Sequence, residues 1–366
     1  MKLKKTIAML TAVVMLCGVT ACSTSAASSG TSSNPSGSSG STNNGTPISP
    51  GVLRGPDGVS SDGANSHAPE DTSRTYNIGI VKPMDHPALN LAQEGFVAAL
   101  TDSGFVVGDN LNLDYRDGQG DDAELNAIAN DFVTNKYDLI FAIATPAAQA
   151  CANATSSIPI IATAVTDFVD AGLIESNSRP NTNVSGTTDM SPIEEQLDLM
   201  LEIFPDIETV GFFYTATESN SVLQIGIARE YAQSLGLETV EMTVNGEGEI
   251  RSALLQLVEQ CDALYIPTDN LLASQIPAVA SVCNPARIPV FCGESGMVES
   301  GGFGTLGIDY YDLGYQAGLM AIRVIDGARI DRMSIQKSTV FEYSFNAAAI
   351  QAVGVTLPNR YQSYIA

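Results

Sequence analysis

The sequence predicts an α/β protein made of two similar, doubly wound parallel-sheet lobes joined by a hinge. Three observations predict it. Short apolar strands alternate with helical patterns from about residue 75 onward, the order expected of parallel sheets wound by right-handed crossovers. Those strands are apolar along their length rather than alternating, as in sheets covered on both faces. The same succession of elements also occurs twice, and an internal repeat outranks any single local signal.

The first copy opens with the strand Asn77-Ile78-Gly79-Ile80-Val81, and the second with Thr209-Val210-Gly211-Phe212-Phe213, 132 residues later. A polar loop and a helix follow each, Leu91 to Leu100 and Val222 to Ser234. The helices end at Gly104 and Gly236, where glycine supplies a left-handed cap. Second strands come next, Leu111 to Tyr115 and Glu238 to Met242, then helices from Asp122 to Asn135 and from Glu247 to Gln260. Third strands match at Asp138 to Ile143 and Asp262 to Ile266, and fourth at Ile158 to Ile161 and Ile288 to Phe291. The chain is expected to cross between lobes near Gly186 to Ser191 and near Thr305 to Asp309. This gives one lobe at 75–187 plus 309–335 and the other at 188–308 plus 336–366, with the C-terminal stretch going to the second.

The N-terminal part has a different character. Met1-Lys2-Leu3-Lys4-Lys5 is basic, Thr6 to Leu16 is apolar, and Val19-Thr20-Ala21-Cys22 is a small-residue site. That is the pattern of a secretory signal over residues 1–21. It resembles the bacterial lipoprotein signal, in which the Cys is lipid-modified and becomes the first mature residue. Val19 stands where Leu is usual. Plain secretion, with Cys22 an incidental thiol, is the alternative. Residues 22–74 are rich in Ser, Gly, Asn and Thr, too polar to offset the entropy of ordering. They read as a tether, and about 50 flexible residues span about 40 Å by coil statistics.

Charge narrows the function. The chain carries 17 basic and 41 acidic residues, a net charge of -24. Loss of Lys2, Lys4 and Lys5 with the signal would take this to -27. Such a surface excludes nucleic acid as a partner and does not lie flat on an anionic membrane, so membrane contact is expected through the lipid anchor alone. Cys151, Cys261, Cys283 and Cys292 form no C-x-x-C pair, which argues against zinc. Buried thiols are expected, with a Cys283–Cys292 bridge the alternative. Asp117 to Asp122 lacks the alternating oxygen ligands and closing Glu of an EF-hand loop and reads as a turn before a capped helix. No metal and no cofactor are expected.

In open parallel sheets, ligands gather at the carboxyl ends of the strands. If the lobes face each other, those ends line one cleft. The strand Ala263-Leu264-Tyr265-Ile266-Pro267 ends in Thr268-Asp269-Asn270, and its counterpart ends in Thr145-Pro146-Ala147.

These residues carry a family likeness. Asp85-His86-Pro87-Ala88-Leu89, the run from Asp138 to Ala150, Ala164-Val165-Thr166-Asp167, Ile266 to Asn270, and Gly307 to Gly314 together resemble the ABC transporter substrate-binding lipoproteins of the tryptophan or tyrosine type. The likeness covers nearly all of residues 75–360. It implies a fold like type I periplasmic binding proteins and capture of a small ligand, an aromatic amino acid, outside the cytoplasmic membrane. It also implies delivery to a membrane permease driven by an ATPase, by a monomer tethered to the outer face of that membrane. A sugar or nucleoside binder of the same fold and a ligand-sensing lipoprotein are the alternatives. An enzyme is not expected: Gly293-Glu294-Ser295-Gly296 lacks the second glycine of a nucleophile elbow, and His86 is the sole histidine outside the tether.

An amino acid brings an ammonium and a carboxylate into a closing site, and each needs partners. The loops offer Asp85, Asp167, Asp269 and Asp309, with Glu218 and Glu294 less central. The resemblance places Asp269 against the ammonium, beside Thr268 and Asn270, while an N-cap role for Asp269 stands as the plain alternative. For the carboxylate there is no Arg in these loops, and Lys82 is the nearest cation. Pro146 after Thr145 suits a helix start able to bind an anion, so Thr145, Ala147 and Thr166 are the expected holders. His86 and Pro87 are expected to line the pocket. Of the rings near the cleft, Phe168, Tyr214, Phe291, Tyr310 and Tyr311, one or two would pack on a ring-bearing ligand.

Overall fold

The apolar runs form strands because a chain buried on both sides of a sheet can satisfy its backbone groups only in the ladder. In a computed structural model, the structure describes residues 74–366. The expected signal, tether and Cys22 lie outside the described residues.

The first half runs β1 (Tyr76–Lys82), α1 (Pro87–Asp102), β2 (Leu111–Asp117), α2 (Asp122–Thr134), β3 (Leu139–Ile143), α3 (Thr145–Ala154), β4 (Ile160–Val165) and β5 (Val184–Thr188). After a crossing, the pattern repeats. It runs α4 (Ile193–Ile203), β6 (Thr209–Thr215), α5 (Ser219–Ser234), β7 (Glu238–Val244), α6 (Glu247–Leu257), β8 (Ala263–Ile266), α7 (Asn270–Ser274), α8 (Ile276–Ala286), β9 (Val290–Cys292), α9 (Ser295–Glu299) and β10 (Gly304–Gly307). The chain returns through α10 (Tyr310–Ile325) and β11 (Gln336–Lys337), then ends in β12 (Glu342–Phe345), α11 (Ala347–Val353) and a 3-10 turn, Asn359–Tyr364.

The duplication is visible in the sheets. One has the order β11-β5-β4-β3-β1-β2, the other β12-β10-β9-β8-β6-β7. β1 pairs β2 in parallel from Tyr76 opposite Leu111, and β6 pairs β7 from Thr209 opposite Glu238, each over seven residues. The departure from symmetry is β12, which joins β10 antiparallel. Both α1 and α5 start earlier than the apolar periodicity suggested, α1 at Pro87, whose fixed φ suits a first helical position.

Each sheet has a core on both faces. Phe96 of α1 stacks on Phe141 of β3 at 3.7 Å between centroids, and α10 closes the same face. There the helices touch backbone to backbone: a Cβ on Gly314 would lie 1.9 Å from the Ala92 carbonyl oxygen, and one on Gly95 2.0 Å from that of Tyr311. Phe303 sits among Phe204, Phe291 and Phe345 in the second half. Buried Ala349, Leu357 and Tyr361 bring the C-terminal residues onto that core. The first sheet keeps Gln336 and Lys337 as an edge strand on β5, two residues beyond the boundary read at 335. The chain therefore crosses a third time over residues 338–341. Cys151, Cys261, Cys283 and Cys292 are free, buried thiols, so the alternative of a Cys283–Cys292 bridge does not hold.

Candidate functional site

The carboxyl ends of the strands from both sheets converge on one partly open cavity. The first half contributes His86 and Leu89 at the start of α1, Ala164 and Thr166 around the end of β4, Asp189 just past β5, and Tyr310 at the start of α10. The second contributes Asn220 at the start of α5, Thr268, Asp269 and Asn270 past β8, Ala273, Glu294 past β9, and Met297. The backbone is strained at this end of the first sheet. Ala144 after β3 has φ 75° and Ala164 has φ 54°, a region that costs a side-chain-bearing residue and recurs at ligand sites.

Three carboxylates line the cavity, and no Lys or Arg does. They differ in how far their oxygens are already used. The Thr215 hydroxyl at 2.8 Å and Leu272 N–H at 2.9 Å donate to Asp269 Oδ1, and Thr215 N–H donates to Oδ2 at 2.6 Å. It is the N-cap of α7 and a brace between β6 and β8. Glu294 caps α9, accepting from Gly296 and Met297 N–H groups. Behind them Glu218 accepts from the N–H groups of Asn270 and Leu271 and from the amides of Asn270 and Asn220. Burial pushes Glu294 and Glu218 up to about 7 and raises Asp269, with the hydrogen bonds pulling the other way.

Asp189 is different. It is 3% exposed, and the side chains that donate to it are hydroxyls: Tyr310 to Oδ2 at 2.7 Å and Thr166 to Oδ1 at 3.4 Å. A carboxylate has about four acceptor sites, so Asp189 keeps acceptor capacity toward the cavity. Burial raises its pKa against those two bonds and its own backbone N–H.

Two further polar atoms of the lining are unpartnered: His86 Nδ1 and Asn220 Oδ1. The Asn220 amide nitrogen donates to Glu218 and to the Thr268 carbonyl, which leaves its oxygen bare. His86 Nε2 lies 3.4 Å from Asn270 Oδ1, an acceptor, so Nε2 carries the proton. Burial pushes the ring down to about 4, hence neutral, with Nδ1 a free acceptor. Both orphan atoms, like the spare sites on Asp189, call for donors.

Of the residues expected from sequence, the structure brings together His86, Thr166, Thr268, Asp269, Asn270, Glu294 and Tyr310. Others are not in the lining. Asp85 is largely exposed and pairs with Lys82, which also removes Lys82 from any role as the site's cation. Asp167 holds a turn through Val169 and Asp170 N–H groups. Asp309 caps α10 through Tyr311 and Asp312. Tyr214 donates to Glu241 on the neighbouring strand. Pro87 is exposed at the first position of α1, and Thr145, Pro146 and Ala147 form the first turn of α3 outside the lining, where Thr145 Oγ1 has no partner. Phe168 and Phe291 are core, and Tyr311 lies on the outer face of α10. Sequence reasoning passed over Asp189 and Asn220. Asp189 had a signal, an acid directly after the first crossing strand; Asn220 had only its place at a helix start.

Comparison with known proteins decides the family. Residues 77–364 match the family described as ABC transporter substrate binding protein. The chain belongs to that family. It is 40% identical over 293 residues, 80% of this chain and 85% of the other, to a tyrosine-binding protein of Clostridioides difficile. It is 30% identical to a Streptococcus pneumonia ABC domain in complex with L-Trp, covering 80% of this chain and all of that one, with a TM-score of 0.77. It is 39% identical to the ligand-free, open structure of a substrate binding protein with adhesive properties from Clostridium difficile, over 80% and 98% of the two chains, with a TM-score of 0.63. Proteins of this family bind substrate outside the cytoplasm for an ABC transporter, a non-enzymatic role, and the fold is that of type I periplasmic binding proteins.

Proposed function

We propose that this protein captures an α-amino acid with an aromatic side chain and presents it, as a membrane-tethered monomer, to an ABC permease and its ATPase. The observation that carries the reading is the one-sided demand of the cavity. Its unpartnered polar atoms, His86 Nδ1 and Asn220 Oδ1, are acceptors, and Asp189 adds an under-used buried carboxylate. An ammonium brings three donors and a positive charge, and a buried carboxylate without a cation is costly.

In this reading Asp189 and Asn220 take the ammonium, and Asp269, Glu294 and Glu218 hold the second half's helix starts in place. The ligand carboxylate goes to the first turn of α1. There His86 at the N-cap makes no side-chain cap bond, and a long helix start binds anions through free N–H groups. Leu89, Met297 and the Tyr310 ring supply the apolar contact for an aromatic side chain. The tyrosine-binding relative and the L-Trp complex support that ligand class. Lipid attachment at Cys22 rests on the sequence pattern, and Cys22→Ser should move the protein from the membrane fraction to the soluble one.

A thermal-shift screen of the twenty amino acids, with sugars and nucleosides as contrasts, tests the reading. A ligand at 100 times its Kd stabilises by about 2.7 kcal/mol. By calorimetry, Asp189→Asn should cost about 2–5 kcal/mol of binding, the loss expected when one partner of a buried charged pair goes. Asp85→Asn and Asp309→Asn should bind as the wild type does. Stabilisation by sugars or nucleosides alone, or undiminished affinity in Asp189→Asn, would defeat it.

A further inference from the structure

We propose that Gln224 is a positioning residue that latches the two lobes together and sets how long a captured ligand stays bound. It does not line the cavity. It lies on α5, fully buried, where one amide reaches both lobes and the crossing between them. Thr268 N–H donates to its Oε1 at 3.3 Å and the Ser191 hydroxyl at 3.4 Å. A backbone N–H can only donate, so the oxygen must face Thr268, and the NH2 group then faces the hydroxyls. That group donates to Thr268 Oγ1 in its own half and, at 3.1 Å, to Thr166 Oγ1 in the other.

Among the described residues, two other side-chain hydrogen bonds join the halves across the cavity, His86 to Asn270 and Thr166 to Thr268, and both are longer, at 3.4 Å. The bond from Gln224 to Thr166 is thus the tightest direct tie. It also orients the hydroxyls in series. With both amide hydrogens given to Thr166 and Thr268, Thr268 can donate to Thr166 and Thr166 to Asp189. The chain of donors ends on the carboxylate proposed for the ligand. When the lobes part, Thr166 leaves with the first half, while the Thr268 bonds stay within the second. Loss of the amide costs the Thr268 bonds in both forms but the Thr166 bond in the closed form alone, so its differential effect falls on dissociation rather than on capture.

The proposal rests on the amino-acid reading for its kinetic arm, so the test has two arms. In stopped-flow with L-tyrosine or L-tryptophan, Gln224→Ala should speed dissociation about tenfold, a single buried hydrogen bond's worth, with association within about twofold of wild type. Gln224→Met fills nearly the same space without any hydrogen-bonding group, so it removes the tie to Thr166 without leaving a cavity. It should behave the same way, which guards against a folding defect in the alanine variant. Combined with Thr166→Val, either change should add little further. In the second arm, small-angle scattering of ligand-free protein should show both Gln224 variants more open than wild type. An unchanged off-rate, or an equal slowing of association, would overturn the latch while leaving the amino-acid reading intact. If neither amino acid binds wild type, that reading fails, and scattering profiles identical between wild type and variants would sink the latch separately.

Discussion

Glu294 shows how a single acid is held uncharged or charged by what surrounds it. It caps α9 through two N–H groups, which favour the carboxylate, yet full burial outweighs them and leaves it at about 7 against an ordinary 4.5. Between those values the folded, closed protein binds a proton that the unfolded chain does not. Stability from this group is therefore lost as pH rises from 4.5 to 7, by up to about 1.4 kcal/mol per pH unit. His86 works the other way, since its folded value of about 4 makes low pH favour unfolding below 6.5. Comparing Glu294→Gln with wild type cancels the histidine. The difference in urea stability, variant minus wild type, should climb between pH 4.5 and 7 and be flat outside that window. A flat difference throughout would mean that Glu294 is not buried in the ligand-free protein. Residue chemistry is also where the sequence was least legible. Motif position singled out Asp85, Asp167 and Asp309 beside Asp269, but a carboxylate at a helix start or turn is usually consumed by the nearest N–H groups. That consumption is a matter of local geometry. The spare capacity of Asp189 depends on Thr166 and Tyr310, 23 and 121 residues away, and no local pattern announces it.

At the scale of elements, the duplicated strand–helix order was legible, because buried parallel strands and glycine-ended helices leave strong marks in sequence. The partnership of α1 and α10 was not, since the two helices are over 200 residues apart and their contact is made of glycines. Gly95 and Gly314 let the helices meet at backbone distance. In Gly314→Ala the new methyl would sit 1.9 Å from the Ala92 carbonyl oxygen, so one helix must move. Overpacking of this kind costs about 1–3 kcal/mol, and here it exceeds the gain in helix propensity of at most about 1 kcal/mol. Urea denaturation should show a net loss of stability. Gly226→Ala on α5, where a Cβ meets nothing within 4 Å, should instead be neutral or stabilising. The third crossing was read two residues too early, because a two-residue strand such as Gln336–Lys337 has no periodicity to read.

For the whole molecule, the relation to its relatives carries information about state. The open, ligand-free relative is nearer in sequence than the L-Trp complex, yet it superposes less well. Sequence divergence alone would order them the other way. The closed arrangement here has side chains in contact across the cavity, and three strands of chain join the halves. A closing motion of the kind proposed would bend all three crossings together, which restricts it to something close to a single rotation. A ligand favours that state only through contacts it makes to both halves.

The placement of the chain ends follows from the same topology. Arg74 leads into the amino end of β1, while Ala366 hydrogen-bonds Phe345 opposite Gly304, at the amino end of β10. Strand carboxyl ends face the cavity, so both ends of the described chain sit at the outer poles, one on each half. Fluorophores attached there would ride on the long arms of a lever. Under the proposed closure, energy transfer between such labels should track ligand occupancy, with neither label near the proposed binding residues.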